Sequence, residues 1–231
     1  MKFLDKQYTQ QGLKLALPVM LTQVGQVSVN LFDNIIVGKL LGAQALASVS
    51  LGNALFFSIF VLALGFSFAI PPLVSEANSQ GKHDTINSVF RHGFVINLGI
   101  GILLMIILLA ALPLIYHMDQ PAEIIPDTIA FLSIMAFTMI PFMMFQTLRE
   151  VSEGLAFTIG VTKATIIANV INIILNYVFI KGMFGFPEMG VEGSALATLI
   201  ARIFMVVFLY YVLVKEPKTR RYIKEFSLKI A

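Results

Sequence analysis

The chain reads as long apolar runs separated by short polar or Gly/Pro-bearing stretches. Runs of about 20 apolar residues are long enough to cross a bilayer as helices. They fall at roughly 13–38, 46–73, 93–116, 125–148, 160–182 and 193–214. The separators are Gly38 to Gly42, the polar stretch Ser75–Arg91, Met118–Pro126, Arg149–Glu153 and the Gly/Pro-rich stretch Lys181–Glu192. None of the runs alternates as barrel strands do, so the pattern predicts an all-α, polytopic membrane protein built as a six-helix bundle.

Two of these spans carry polar stripes. In the first, Gln23, Gln26, Asn30 and Asp33 follow i, i+3, i+7, i+10 spacing and share one helical face. In the fifth, Asn169, Asn172 and Asn176 fall at i, i+3, i+7, and the sixth contributes Ser194, Thr198 and Arg202 at i, i+4, i+8. Asp33 stands apart, because it alone of the thirteen acidic residues sits deep inside an apolar run. A carboxylate at mid-membrane costs about 2.5–3.5 kcal/mol even on the gentler scales, which makes it a functional-site candidate by default. Carboxyl, carboxamide and hydroxyl oxygens together suit a proton or a small hard cation. The amides have a second reading as interhelical hydrogen-bond glue. Pro18, about four turns before Asp33, lacks an N–H and is expected to bend span one; a moving hinge and a static kink are both open readings.

Composition agrees with a membrane protein. Of 231 residues, 58% are hydrophobic and 13% charged, against about one-quarter charged in soluble domains. There is no cysteine, so disulfides and thiolate chemistry are excluded. The N-terminus lacks a small-residue cleavage site and is read as leading into span one, not as a removable signal. Thirteen Lys and Arg residues fall on one side of the predicted spans, whereas only Lys39 and Lys181 fall on the other. The positive-inside rule then places both termini in the cytoplasm, with the chain integral to the cytoplasmic membrane. Topology accounts for the basic tail EPKTRRYIKEF and for the net charge of +3, leaving no call for a nucleic-acid partner. The three histidines (His83, His92 and His117) have no partner at metal-ligand spacing, and no phosphate-cradling glycine motif is present. An enzyme, a resident metal and an ATP-driven pump are therefore not expected. What remains is a secondary transporter with one titratable residue in the membrane.

The stretches LALPVMLTQVGQVSVNLFDNIIVGKLLGAQALASVSLGN, GFSFAIPPLVSEANSQGKHD and NVINIILNYVFIKGMFGFPEMGVEGSALATLIAR resemble the first, second, fifth and sixth helices of the multidrug and toxic compound extrusion (MATE) family. The resemblance implies a twelve-helix antiporter of two six-helix lobes, working by alternating access. Residues 1–214 are then expected to form the N-terminal lobe, and residues 215–231 a basic cytoplasmic inter-lobe linker. The implied partners are small lipophilic or cationic substrates, the bilayer, and a missing C-terminal lobe or a second copy. It also implies a cation site at Asp33, Asn172, Asn176 and Thr198, with Asn30 beside them and Pro18 as hinge. Some family members carry Asp where this chain has Asn176; a single carboxylate favours H+ over Na+ as coupling ion, with Na+ at the Asp33 site the alternative. No other cofactor is implied. A lipid or polysaccharide flippase of the same superfamily and a non-transporting membrane lobe are the competing readings.

Overall fold

Prolines decide where the long apolar runs break. A proline lacks the N–H that continues the helical ladder, and its ring clashes with the carbonyl four residues earlier. In the computed structural model, which describes residues 6–224 (side chains of residues 16–223, Phe66 excepted), this happens three times. Helix α2 (Ala43–Ser67) stops ahead of Pro71 and Pro72, and α3 (Ile70–Ser79) restarts with them in its first turn. Helix α4 (His83–Ala111) passes into a 3₁₀ stretch, Leu112–His117, at Pro113. The fourth run divides into α5 (Ile125–Phe137) and α6 (Met139–Gly154), bent by 41° at Thr138. Phe137, the last residue of α5, is four residues before Pro141. By contrast α1 (Lys6–Leu41) continues across Pro18 without a break. There the hydroxyls of Thr22 and Thr162 both lie on the Pro18 carbonyl, at 2.9 and 3.0 Å. Helices α7 (Ile159–Lys181), α8 (Gly190–Lys215) and α9 (Pro217–Lys224) complete the order.

The architecture is all-α, and no strand occurs among the described residues. Among those residues, four helical segments are long and apolar enough to cross a membrane, or five if the bent α5–α6 pair is one span. Helix α1 has 36 residues and the length to cross; the amides and carboxylate of its polar stripe set it apart from those segments. Two of the longer polar stretches expected as separators are largely helical instead. Most of Ser75–Arg91 belongs to α3 and α4, leaving a turn at 80–82. Arg149–Glu153 is the end of α6, and Arg149 is only 4% exposed. The described part of the expected linker is also not free chain: α9 packs back on α8 and α4, burying Thr219, Tyr222 and Ile223. The Tyr222 hydroxyl lies 2.7 Å from His83 Nδ1.

The interior has two apolar layers. One joins Val37, Val49, Phe131, Met135 and Met139 across α1, α2, α5 and α6. The other joins Val74, Phe145, Ala164, Leu209 and Tyr222 across α3, α6, α7, α8 and α9. A buried polar relay crosses the bundle as well: Ser67 Oγ donates to Asn97 Oδ1 at 3.1 Å, and Asn97 Nδ2 donates to Thr147 Oγ1 at 2.8 Å. Outward, the helices expose Leu62, Leu103, Ile174 and Val207. Apolar side chains this abundant on the outer face suit hydrocarbon and not water.

Helices α7 and α8 pack closely along their length, which brings the two polar stripes together. A Cβ added at Gly193 would lie 2.8 Å from the Phe179 carbonyl carbon, so only glycine allows this approach. The connection between them turns at Gly182, in the left-handed region with φ 63°, and closes with Met189 N–H on the Phe179 carbonyl at 3.0 Å.

Candidate functional site

Asp33 is 3% exposed, wedged between α1, α7 and α8. Its two oxygens are held separately. Asn176 Nδ2 donates to Oδ1 at 2.7 Å, and the Thr198 hydroxyl lies 3.1 Å from Oδ2. Asn176 Nδ2 is surrounded by acceptors, the Asn172 carbonyl at 3.1 Å and Asn172 Oδ1 at 3.3 Å being the others, so its assignment as the amide nitrogen is consistent with the network. Asn172 Nδ2 in turn donates to Thr198 Oγ1 at 3.2 Å.

Two features of this network are unequal to its needs. The Thr198 hydroxyl has one hydrogen but two acceptors at 3.1 Å, Asp33 Oδ2 and the Ser194 carbonyl. Asn176 Oδ1 and Ser194 Oγ are buried without a hydrogen-bond partner. Buried polar atoms left unpaired are uncommon and mark places where an ion or water completes the set.

Of the residues singled out from sequence, the structure thus brings Asp33, Asn172, Asn176 and Thr198 into one hydrogen-bonded cluster. Asn30 is not part of it. It lies on the same helix but is exposed to the neighbouring cavity and makes no hydrogen bond to Asp33 among the described residues. Three residues is a 300° step on a helix, enough to rotate Asn30 off the Asp33 contact. Asn169 also departs from the cluster, donating instead to the Gly25 carbonyl at 2.7 Å, where it joins α7 to α1. Pro18 lies about four turns away, in contact with Thr22 and Thr162.

Beside the cluster opens a cavity of about 510 Å³. Asn172 and Thr198 line it, so they stand between Asp33 and the open space. Phenylalanines from α2 and α6 form much of the remaining wall.

Two arginines also line this wall: Arg202, which shares the stripe of Ser194 and Thr198, and Arg149, from an expected separator. Arg202 is clamped between the rings of Phe56 and Phe142, its guanidinium carbon 4.8 Å from each centroid, and it donates to the Thr138 hydroxyl. Arg149 pairs with Glu153 at 2.7 Å and donates to Gln26 and Gln146 at 3.1 and 3.2 Å. Its position at a predicted separator suggested a solvated topology residue; the continuation of α6 buries it instead. Among the described residues no group of three or more His, Asp or Glu side chains is placed to hold a metal ion.

The MatE family model matches residues 18–178. The chain belongs to this family. The multidrug resistance protein NorM of Photobacterium profundum is 35% identical over 215 residues, a match covering 92% of this chain and 46% of that protein. The multidrug resistance protein MdtK of Cronobacter sakazakii is 30% identical over 199 residues, covering 86% and 43%. This member of the family therefore spans about half the length of the curated relatives it matches. Its fold is also that of solved MATE structures. A eukaryotic MATE transporter superposes with a TM-score of 0.85 at 17% identity, over 95% of this chain and 48% of that one. A MATE in a bent conformation gives 0.81 at 24%, over 93% and 48%.

Proposed function

We propose that this chain forms one lobe of a secondary active multidrug exporter, a six-span unit with both termini cytoplasmic, and that Asp33 carries the coupling cation. A carboxylate buried at a three-helix junction, one layer of side chains away from a cavity, is the observation that supports this reading most strongly. When Asp33 is charged, Asn176 and Thr198 donate to it. When a proton neutralises it, the Thr198 hydroxyl has a ready alternative acceptor in the Ser194 carbonyl. Uptake and release of the cation can therefore exchange hydrogen bonds without leaving Thr198 unpaired. Because Asp33 holds α1 to α7 and α8, that exchange loosens α1, and Pro18 is the point at which α1 can flex. Thr198 and Asn172 transmit the change to the cavity wall. Movement of each cation down the membrane potential contributes about 2.3 kcal/mol per 100 mV, ample to drive the cycle.

H+ is the favoured ion because the site has a single carboxylate. Na+ is the second reading, favoured by one observation: Asn176 Oδ1 and Ser194 Oγ are buried oxygens that lack partners and would suit a hard cation. The missing second lobe, whether from a longer chain or a second copy, completes the translocation path. The decisive experiment is Asp33→Asn in the two-lobed transporter, measured as drug efflux from cells at matched expression. Export should be abolished; unchanged resistance would sink this reading.

A further inference from the structure

The charged groups that line the cavity are of one sign. Its lining residues include two guanidinium groups, those of Arg149 and Arg202, and no carboxylate. Arg149 is neutralised by Glu153. Arg202 has no ion pair among the described residues; Asp33 attracts it only from beyond ion-pair distance. Of its donor groups only Nη1 is engaged, with Thr138. Two of the five phenylalanine rings on this wall, Phe56 and Phe142, already hold the guanidinium against their faces. An incoming ammonium would find those faces occupied and a like charge between them. An oxyanion would find a guanidinium held in place by two rings and a hydroxyl, with N–H groups to spare. A pre-oriented planar fork of this kind suits a carboxylate.

We propose that Arg202 is the substrate-specificity residue of this lobe, and that the lobe takes flat lipophilic compounds bearing a carboxylate in preference to lipophilic cations. The carboxylate meets Arg202, and the apolar body lies against Phe57, Phe60 and Phe68 on the same wall. The cavity volume is of the size that takes drug-sized ligands. This rests on reading the chain as part of an exporter and names the substrate class of that exporter.

The test uses the chain in nanodiscs of zwitterionic lipid and two fluorescent probes with one ring system and opposite charges, 1-pyrenebutyrate and a pyrenylbutyl-trimethylammonium salt. The methyl ester of pyrenebutyrate is the neutral control. Wild-type chain should bind the carboxylate about tenfold or more tighter than either of the others, as expected for hydrogen bonds to a charged group. Arg202→Gln should abolish that preference, and Arg202→Lys, which keeps the charge without the fork, should retain a reduced one. Equal binding of carboxylate and ester by wild-type chain, tighter binding of the ammonium, or an Arg202→Gln variant with undiminished preference each overturns the proposal. The ester comparison needs no variant and stands even if Arg202→Gln does not fold. Charge-selective binding together with absent efflux in the two-lobed transporter would overturn the export reading alone; efflux without charge selectivity would overturn this one alone.

Discussion

Asp33 Oδ1 and Asn176 Nδ2, 143 residues apart in the chain, lie 2.7 Å apart in the bundle. This bond holds the first helix to the seventh, and it makes the candidate cation site a structural joint as well. Removing the amide should therefore be felt twice. Asn176→Ala leaves Asp33 Oδ1 without its donor and should cost about 1–3 kcal/mol of stability, read as a lowered Tm in detergent. Asn176→Asp should instead add a second carboxylate and make the Tm rise with added Na+. A variant indifferent to Na+ would argue against cation binding at these oxygens.

Pro18→Ala restores a backbone donor within α1 and should stiffen it. If α1 flexes there during transport, turnover in the two-lobed transporter falls while substrate binding is kept. Single-turnover flux alongside equilibrium binding separates the two effects, and an unchanged turnover would mean that Pro18 is no hinge.

Glu150 is 2% exposed, and neither of its carboxyl oxygens has a hydrogen-bond partner. Glu150→Gln keeps the shape and removes the ionisable group, so its Tm should match or exceed that of the wild type. Arg149→Met, one position earlier, strands Glu153 and two glutamine oxygens and should lose about 3 kcal/mol, as breaking a buried pair does. Paired thermal melts of the two variants check this contrast.

Gly193→Val places a branched side chain against the Phe179 backbone, which cannot move aside as a flexible side chain would. A loss of about 1–3 kcal/mol is expected from overpacking. Because Thr198 lies little more than a turn further along α8, cation-dependent changes in Tm should weaken in the same variant.

Much of the site could be read along the chain because a charge in hydrocarbon is rare and helical spacing is regular. Asp33, Asn172, Asn176 and Thr198 stood out as polar residues in apolar runs, and family likeness named the same four. Asn30 shared their stripe but not their contact, since residues three apart on a stripe still differ by about 60° around the helix. The breaks after Ser67 and Phe137 had a visible cause in Pro72 and Pro141, whose clash falls four residues upstream, at Phe68 and Phe137. The burial of Arg149 and the ring clamp around Arg202 had no such local sign. Both depend on which helix lies opposite, and that is set by the whole bundle. The packing of the basic tail was hidden because its charges dominate; its buried Tyr222 and Ile223 are spaced too closely to announce a packed face.

Thr138 is the residue at which the fourth span changes direction, and its hydroxyl is also the anchor of Arg202. The elbow of one helix and the charged wall of the cavity are therefore fastened at a single oxygen. A ligand that draws the guanidinium forward strains the elbow, and a change in the elbow's angle moves the charge that the ligand meets. If Arg202 meets the ligand as proposed, substitutions at Thr138 should register in ligand binding as well as in the bend.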